Sequence, residues 1–268
     1  MLRPILILVS FASMMVSAAS TSEPARPLRI ATSGDSTMCE YPADRPGRGW
    51  GHYVEDHFRA DTVKVFNTAA DGRSAKTFIQ EGRWEKTLQE KPDYVFIQFG
   101  HNDSHQPANR ESTDPATTFK EYLPRSIDES RAAGATPILV TPMVRRKWDE
   151  AGKFSEAPPN PGYRVLGTYA AAVWAVGTGK KVPVIDLYAS SMALVSKLGP
   201  VACLALANSP TDNTHFNEKG ARTMADRVLR ERPAAAPDLA KYLDPKNAAV
   251  EAKRRIAPPF YPSPSYPL

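Results

Sequence analysis

The 268-residue chain carries only two cysteines and five histidines. That supply excludes a disulfide scaffold and a cysteine-rich metal module. Nor is there a block of like charge. Lys and Arg total 34 against 29 Asp and Glu, and the net charge of +5 is spread over a mixed surface. Nucleic-acid binding is therefore not implied. Long apolar runs are equally scarce. The most extended one, residues 5–16 interrupted by Ser10 and Ser13, falls short of the ~20 residues that span a bilayer. With 42% hydrophobic residues and a mean hydropathy of -0.40, the chain has the composition of an ordinary globular protein. Its length suits one large α/β domain. No internal repeat is visible.

What that N-terminal run does resemble is a secretory signal. Arg3 precedes it, and Val16, Ser17 and Ala18 offer small or aliphatic groups around a cleavage site after Ala18. The expected organisation is a signal peptide over 1–18, a single folded domain over 19–231 and a proline-rich segment over 232–268. The protein is expected to be secreted or periplasmic, without a membrane anchor, and monomeric. In an oxidising compartment Cys39 and Cys203 can form one bridge or remain two buried thiols. The sequence leaves both open.

Past the signal, apolar runs alternate with amphipathic stretches. Residues 28–32, 63–66, 94–99, 137–140 and 182–187 are short, rich in β-branched or aromatic side chains and bounded by Gly, Asn, Asp or Pro. Near-continuous apolarity predicts parallel strands covered on both faces. Residues 115–133 predict a helix with Asp114 as its cap, 160 to about 177 a second, and Asn217 caps a third. The expected fold is a three-layer α/β/α sandwich with a five-stranded parallel sheet, flavodoxin-like in arrangement.

In open α/β sheets ligands collect beyond the carboxyl ends of the strands. The segments there are Gly34-Asp35-Ser36-Thr37, then Asn67 to Ser74, then Gly100-His101-Asn102-Asp103; Asp212-Asn213-Thr214-His215 precedes the last helix. Together they supply a hydroxyl, an acid and an imidazole in one short turn, a side-chain amide, and a glycine whose backbone can approach a ligand closely.

Each motif alone recurs by chance, but their conjunction and order resemble the SGNH, or GDSL-type, hydrolase superfamily. Within it, GDSTM, Gly49-Trp50-Gly51, N-x-A-x-x-G-R-S, FGHND and DNTHFNEKGA are similar to those of the rhamnogalacturonan acetylesterases, over about residues 29–230. The resemblance implies a serine esterase needing no metal or cofactor. Ser36 would be the nucleophile, His215 its base and Asp212 the acid that orients the imidazole. The N–H groups of Ser36 and Gly72 with the amide of Asn102 would form the oxyanion hole, and the substrate would be an acetylated polysaccharide.

Other residues admit plainer readings. Asp35 is expected to brace the nucleophile turn, and Trp50 to be core rather than a sugar platform. His101 and His105, with Asp103, have the spacing of a metal pair but no helical frame to make them converge. His52 and His57 fall in an expected helix after Gly51. Arg145 and Arg146 follow the fourth strand, where they would either grip the carboxylates of galacturonate or form a solvated charge run. Other acetylated glycans or short-chain esters are alternative substrates. A non-catalytic carbohydrate-binding module is an alternative class, disfavoured because Ser36, Asp212 and His215 are all present.

Overall fold

Each of the five apolar runs forms a strand in the computed structural model, which describes residues 26–156 and 162–246. They are β1 (Leu28–Gly34), β2 (Val63–Asn67), β3 (Tyr94–Gln98), β4 (Thr136–Val140) and β5 (Val184–Ile185). All pair in parallel, in the order β2-β1-β3-β4-β5. The chain therefore winds outward from β1 in both directions, and the β1/β3 gap is the switch point where such sheets bind ligands. β1 runs two residues further than its apolar stretch, because Gly34 still pairs with Gln98. A Cβ at Gly34 would stand 2.4 Å from the Gln98 carbonyl oxygen, so only glycine lets the strands stay paired up to the loop that follows.

Alternate β1 residues point to opposite faces. Ile30 packs with Met224, Ala225 and Val228 on one side, and Ala31 with Phe78, Trp84 and Phe119 on the other. The helices supplying those layers are α1 (Ala75–Gln80), α2 (Arg83–Gln89), α3 (Phe119–Ala132), α4 (Leu166–Lys180), α5 (Leu187–Cys203) and α6 (Glu218–Ala235). The expected three-layer sandwich is the observed one.

Several boundaries differ from expectation. α3 starts at Phe119 instead of residue 115, because the Asp114 carboxylate accepts from Ala116 N–H at 2.8 Å and its carbonyl from Phe119 N–H at 3.0 Å. That side-chain turn competes with helix. α4 starts at Leu166, and residues 157–161 lie outside the described residues. Asn217 does cap α6, accepting from Gly220 N–H at 3.0 Å. In place of one helix after Gly51 there are two 3-10 turns, Trp50–Tyr53 and Glu55–His57. Residues 187–206 are long and apolar enough to cross a membrane by length and composition alone. Here Leu187, Tyr188, Val195 and Cys203 are buried in protein, and Gly199, at φ 70°, interrupts the helix.

The boundary expected at residue 231 falls inside α6. Beyond it, Leu239 and Leu243 are buried in the core, and Arg59 N–H donates to the Tyr242 carbonyl at 2.9 Å. The start of the proline-rich segment is thus part of the domain. The signal peptide expected over 1–18 and the chain after 246 lie outside the described residues. Cys39 and Cys203 are both buried free thiols, so the bridge left open by the sequence is not formed. Burial pushes the Cys39 thiol up to about 12.

Candidate active site

The loop after β1 is built to hold Ser36 still. Met38 and Cys39 N–H both donate to the Asp35 carbonyl, and Asp35 Oδ1 accepts from the Thr37 N–H at 2.9 Å and hydroxyl at 2.7 Å. One turn results, and no helix follows Ser36 directly: the next element after β1 is the short 3-10 turn at Trp50–Tyr53. The turn's outward carbonyls are taken up by Gly49-Trp50-Gly51, whose three N–H groups donate to Cys39, Thr37 and Met38 in that order. Gly49 and Gly51 are required by that close approach, since a Cβ on either would fall within 2.6 Å of the Met38–Cys39 backbone. Trp50, fully buried, donates Nε1–H to Gln98 Oε1 at 2.6 Å, and Gln98 donates to the Thr37 hydroxyl at 2.8 Å. Asp35 and Trp50 therefore serve as brace and core, as expected. Behind them the buried His101 ring lies 3.4 Å from Asp35 Oδ2. Burial pulls the His101 imidazole below its usual range. Burial also works against the Asp35 charge, but His101 and the Thr37 bonds outweigh it and hold that carboxyl low.

Ser36 Oγ lies 2.9 Å from His215 Nε2, and His215 Nδ1 lies 3.0 Å from Asp212 Oδ2. The other Asp212 oxygen accepts from Thr214 N–H and His215 N–H, each at 2.8 Å. Burial alone would raise the Asp212 carboxyl. The two backbone donors and the imidazole more than offset that and hold it below its ordinary value. An acid, a base and a hydroxyl are thus in line, with the acid kept ionised.

Gly72 has φ 74° with no atom within 4 Å of where a Cβ would sit, so its backbone conformation, and not crowding, calls for glycine. Asn102 donates one amide hydrogen to the Arg73 carbonyl at 3.1 Å. That bond ties the loops after β2 and β3 together. A cavity of about 170 Å³ opens next to His215, lined by Tyr41, Arg45, Asp71 and Asn208 among others.

His101 and His105 do not converge. His105 Nδ1 bonds Glu111, while His101 faces Asp35. Among the described residues no group of three His, Cys, Asp or Glu is placed to hold a metal ion. His52 and His57 sit near Glu40 and Asp226, each at 3.4 Å.

Arg145 and Arg146 depart most from expectation. Both are buried, at 7% and 4% exposure, so neither the solvated charge run nor an open carboxylate grip describes them. Arg145 donates to the His101 carbonyl and the Ser104 hydroxyl, and stacks on Tyr163. Arg146 donates to carbonyls of the turn carrying Asp212 and His215. Burial lowers the Arg146 guanidinium to about 10, which leaves it charged at neutral pH. The internal roles of these two arginines and of Gln98 escape a reading of the sequence.

Comparison with known proteins agrees with this geometry. Residues 33–223 match the family model for the GDSL-like lipase/acylhydrolase family. A rhamnogalacturonan acetylesterase of Bacillus subtilis, RhgT, is 35% identical over 218 residues, covering 76% of this chain and 88% of its own. The probable rhamnogalacturonan acetylesterase YesY of the same organism is 32% identical over 206 residues, covering 75% and 90%. Among solved structures, protein YxiM of B. subtilis superimposes with a TM-score of 0.65 at 28% identity over 78% of this chain, which spans 57% of that longer one. An acetylxylan esterase from Geobacillus stearothermophilus shares the fold, with a TM-score of 0.59 at 21% identity over 77% of this chain and 94% of its own. The chain belongs to the GDSL-like lipase/acylhydrolase family, among its rhamnogalacturonan acetylesterase-like members, and is a carboxylic ester hydrolase.

Proposed function

We propose that the protein is a secreted esterase that removes O-acetyl groups from pectic rhamnogalacturonan through a covalent acetyl-enzyme on Ser36. The observation that carries the mechanism is the unbroken line from Ser36 Oγ through the His215 ring to Asp212. Ser36 Oγ attacks the acetyl carbonyl carbon while its proton passes to His215 Nε2. The carbonyl oxygen, now an anion, is met by the N–H groups of Ser36 and Gly72 and by the Asn102 amide. Collapse breaks the C–O bond to the sugar, whose oxygen takes the proton from His215. Water then adds to the acetyl-serine, gives its proton to His215, and acetate leaves as Ser36 recovers it. Asp212 stays ionised throughout and stabilises the imidazolium in each half-reaction.

The substrate reading rests on the relatives' names and on the lining of the cavity beside His215. Tyr41, Arg45, Asp71 and Asn208 offer hydrogen-bonding groups suited to sugar hydroxyls. Acetate release from acetylated rhamnogalacturonan, xylan and chitin tests both parts. The expected outcome is preference for rhamnogalacturonan, with nearly all turnover lost in Ser36→Ala and in His215→Ala and little further loss in the double variant. Activity surviving in Ser36→Ala would refute the acetyl-enzyme. A preference for xylan would refute the substrate and leave the mechanism standing.

A further inference from the structure

The turn that carries Asp212 and His215 has an unusual backbone environment. Its four consecutive carbonyls all accept hydrogen bonds from a single residue, Arg146. Nη2 donates to the Asp212 carbonyl at 2.8 Å and to the His215 carbonyl at 2.7 Å, and Nη1 to the Thr214 carbonyl at 3.3 Å. The Arg146 backbone N–H donates to the Asn213 carbonyl at 2.8 Å. Its guanidinium lies over the ring of Phe216, 4.5 Å from the centroid. The neighbouring residues are fixed too: Val144 N–H donates to the buried Ser191 hydroxyl at 3.0 Å.

This is a demanding arrangement. Carbonyl dipoles aimed at one point repel each other, and buried without donors each is costly. A planar cation with several fixed N–H groups resolves both problems at once, and a lysine ammonium, with a single centre of charge, cannot reproduce the fork. The same turn must hold the His215 ring to within a fraction of an ångström of two partners, because displacement of ~1 Å at a catalytic group costs on the order of 10²-fold in rate.

We propose that Arg146 is a positioning residue of the esterase, a buried clamp that fixes the Asp212–His215 turn so that His215 Nε2 meets Ser36. It touches neither substrate nor the reacting atoms. Its donors are engaged by the protein's own backbone, which is why it does not serve as a carboxylate grip for the polymer. The assignment rests on the catalytic reading of Ser36, His215 and Asp212 given above.

The test uses the full-length enzyme and p-nitrophenyl acetate beside acetylated rhamnogalacturonan. In Arg146→Ala, kcat per folded molecule should fall about 10- to 100-fold on both substrates with KM nearly unchanged. Millimolar guanidinium should restore several-fold of that loss, whereas ammonium at equal ionic strength should not. The downfield proton resonance of the His215–Asp212 hydrogen bond should weaken and return with the same additive. Arg146→Lys, which keeps the charge but not the fork, serves if the alanine variant does not fold, and its kcat should fall on both substrates as well. Wild-type kcat in either folded variant overturns the clamp. So does a raised KM confined to the polymer at unchanged kcat, which would restore the carboxylate grip. Ser36→Ala run alongside separates the two readings: activity surviving there removes the triad, while an inactive Ser36→Ala beside a fully active Arg146→Ala removes only the clamp.

Discussion

Asp103 follows the amide Asn102 and is wholly buried, and its titration should make a large contribution to how stability responds to pH, one that a single substitution can separate from the rest. Its carboxylate accepts from the Thr113 hydroxyl at 2.9 Å and from the Ala75 N–H at 3.2 Å to each oxygen. Burial raises this carboxyl to about 7; the Thr113 and Ala75 bonds pull the other way, and the Asp35 carboxylate adds a repulsion. Against an ordinary value of 3.8, the folded protein keeps a proton that the unfolded chain has released throughout the interval between them. Where the native state binds more protons, unfolding free energy falls as pH rises. Stability from this group is therefore complete below about pH 4 and is lost progressively as the solution passes from there to about pH 7. At ~1.4 kcal/mol per unit the loss approaches about 4 kcal/mol, a large part of the roughly 5–15 kcal/mol a domain has. Urea unfolding across the range from about pH 4 to about pH 9 should be measured for the wild type and for Asp103→Asn, which cannot titrate at this position. The difference between the two isolates this carboxyl from every other group. As pH rises, the variant should gain a few kcal/mol of stability relative to the wild type. A difference that stays flat over the same range would show the carboxylate fully compensated by its donors, and the argument from burial would be wrong.

Asn102→Ala should lower kcat by about 10²- to 10³-fold with little change in KM, if its amide meets charge only in the transition state. A raised KM at constant kcat in steady-state kinetics would move the residue to ground-state binding. Trp50→Phe removes the N–H that satisfies Gln98 Oε1 inside the core, and should cost about 1–3 kcal/mol for the orphaned acceptor alone. Denaturant midpoints measure this, and an unchanged midpoint would mean the Trp50–Gln98–Thr37 chain does not support the turn that carries Ser36. Reducing agent should leave the melting temperature unaltered, since both cysteines are free thiols; a drop would reveal a bridge.

What can be read in the sequence, and what cannot, follows from the range of the interactions involved. The strands are legible because burial on both faces of a parallel sheet leaves a mark in each stretch separately, as in the run from Tyr94 to Gln98. Ser36, Asp212 and His215 are legible because chemistry restricts the residue type and the sheet's edge restricts the place. Short helices are not. α1 depends on a capping box closed by Thr77 in place of an acid, and α2 begins after Gly82 at φ 68°, so neither carries a long apolar period. The paired arginines mislead for a related reason. In sequence, adjacent cations after a strand look solvated, since burying a guanidinium is costly unless most of its donors are matched. Apart from the Ser104 hydroxyl, the matching groups are backbone carbonyls, which every residue has and no composition reveals. Arg145 finds them at His101 and Arg146 at Asp212, Thr214 and His215, so the two neighbours reach opposite loops of one site. A charged residue whose partners are main-chain atoms can be located only once the fold has brought those atoms together.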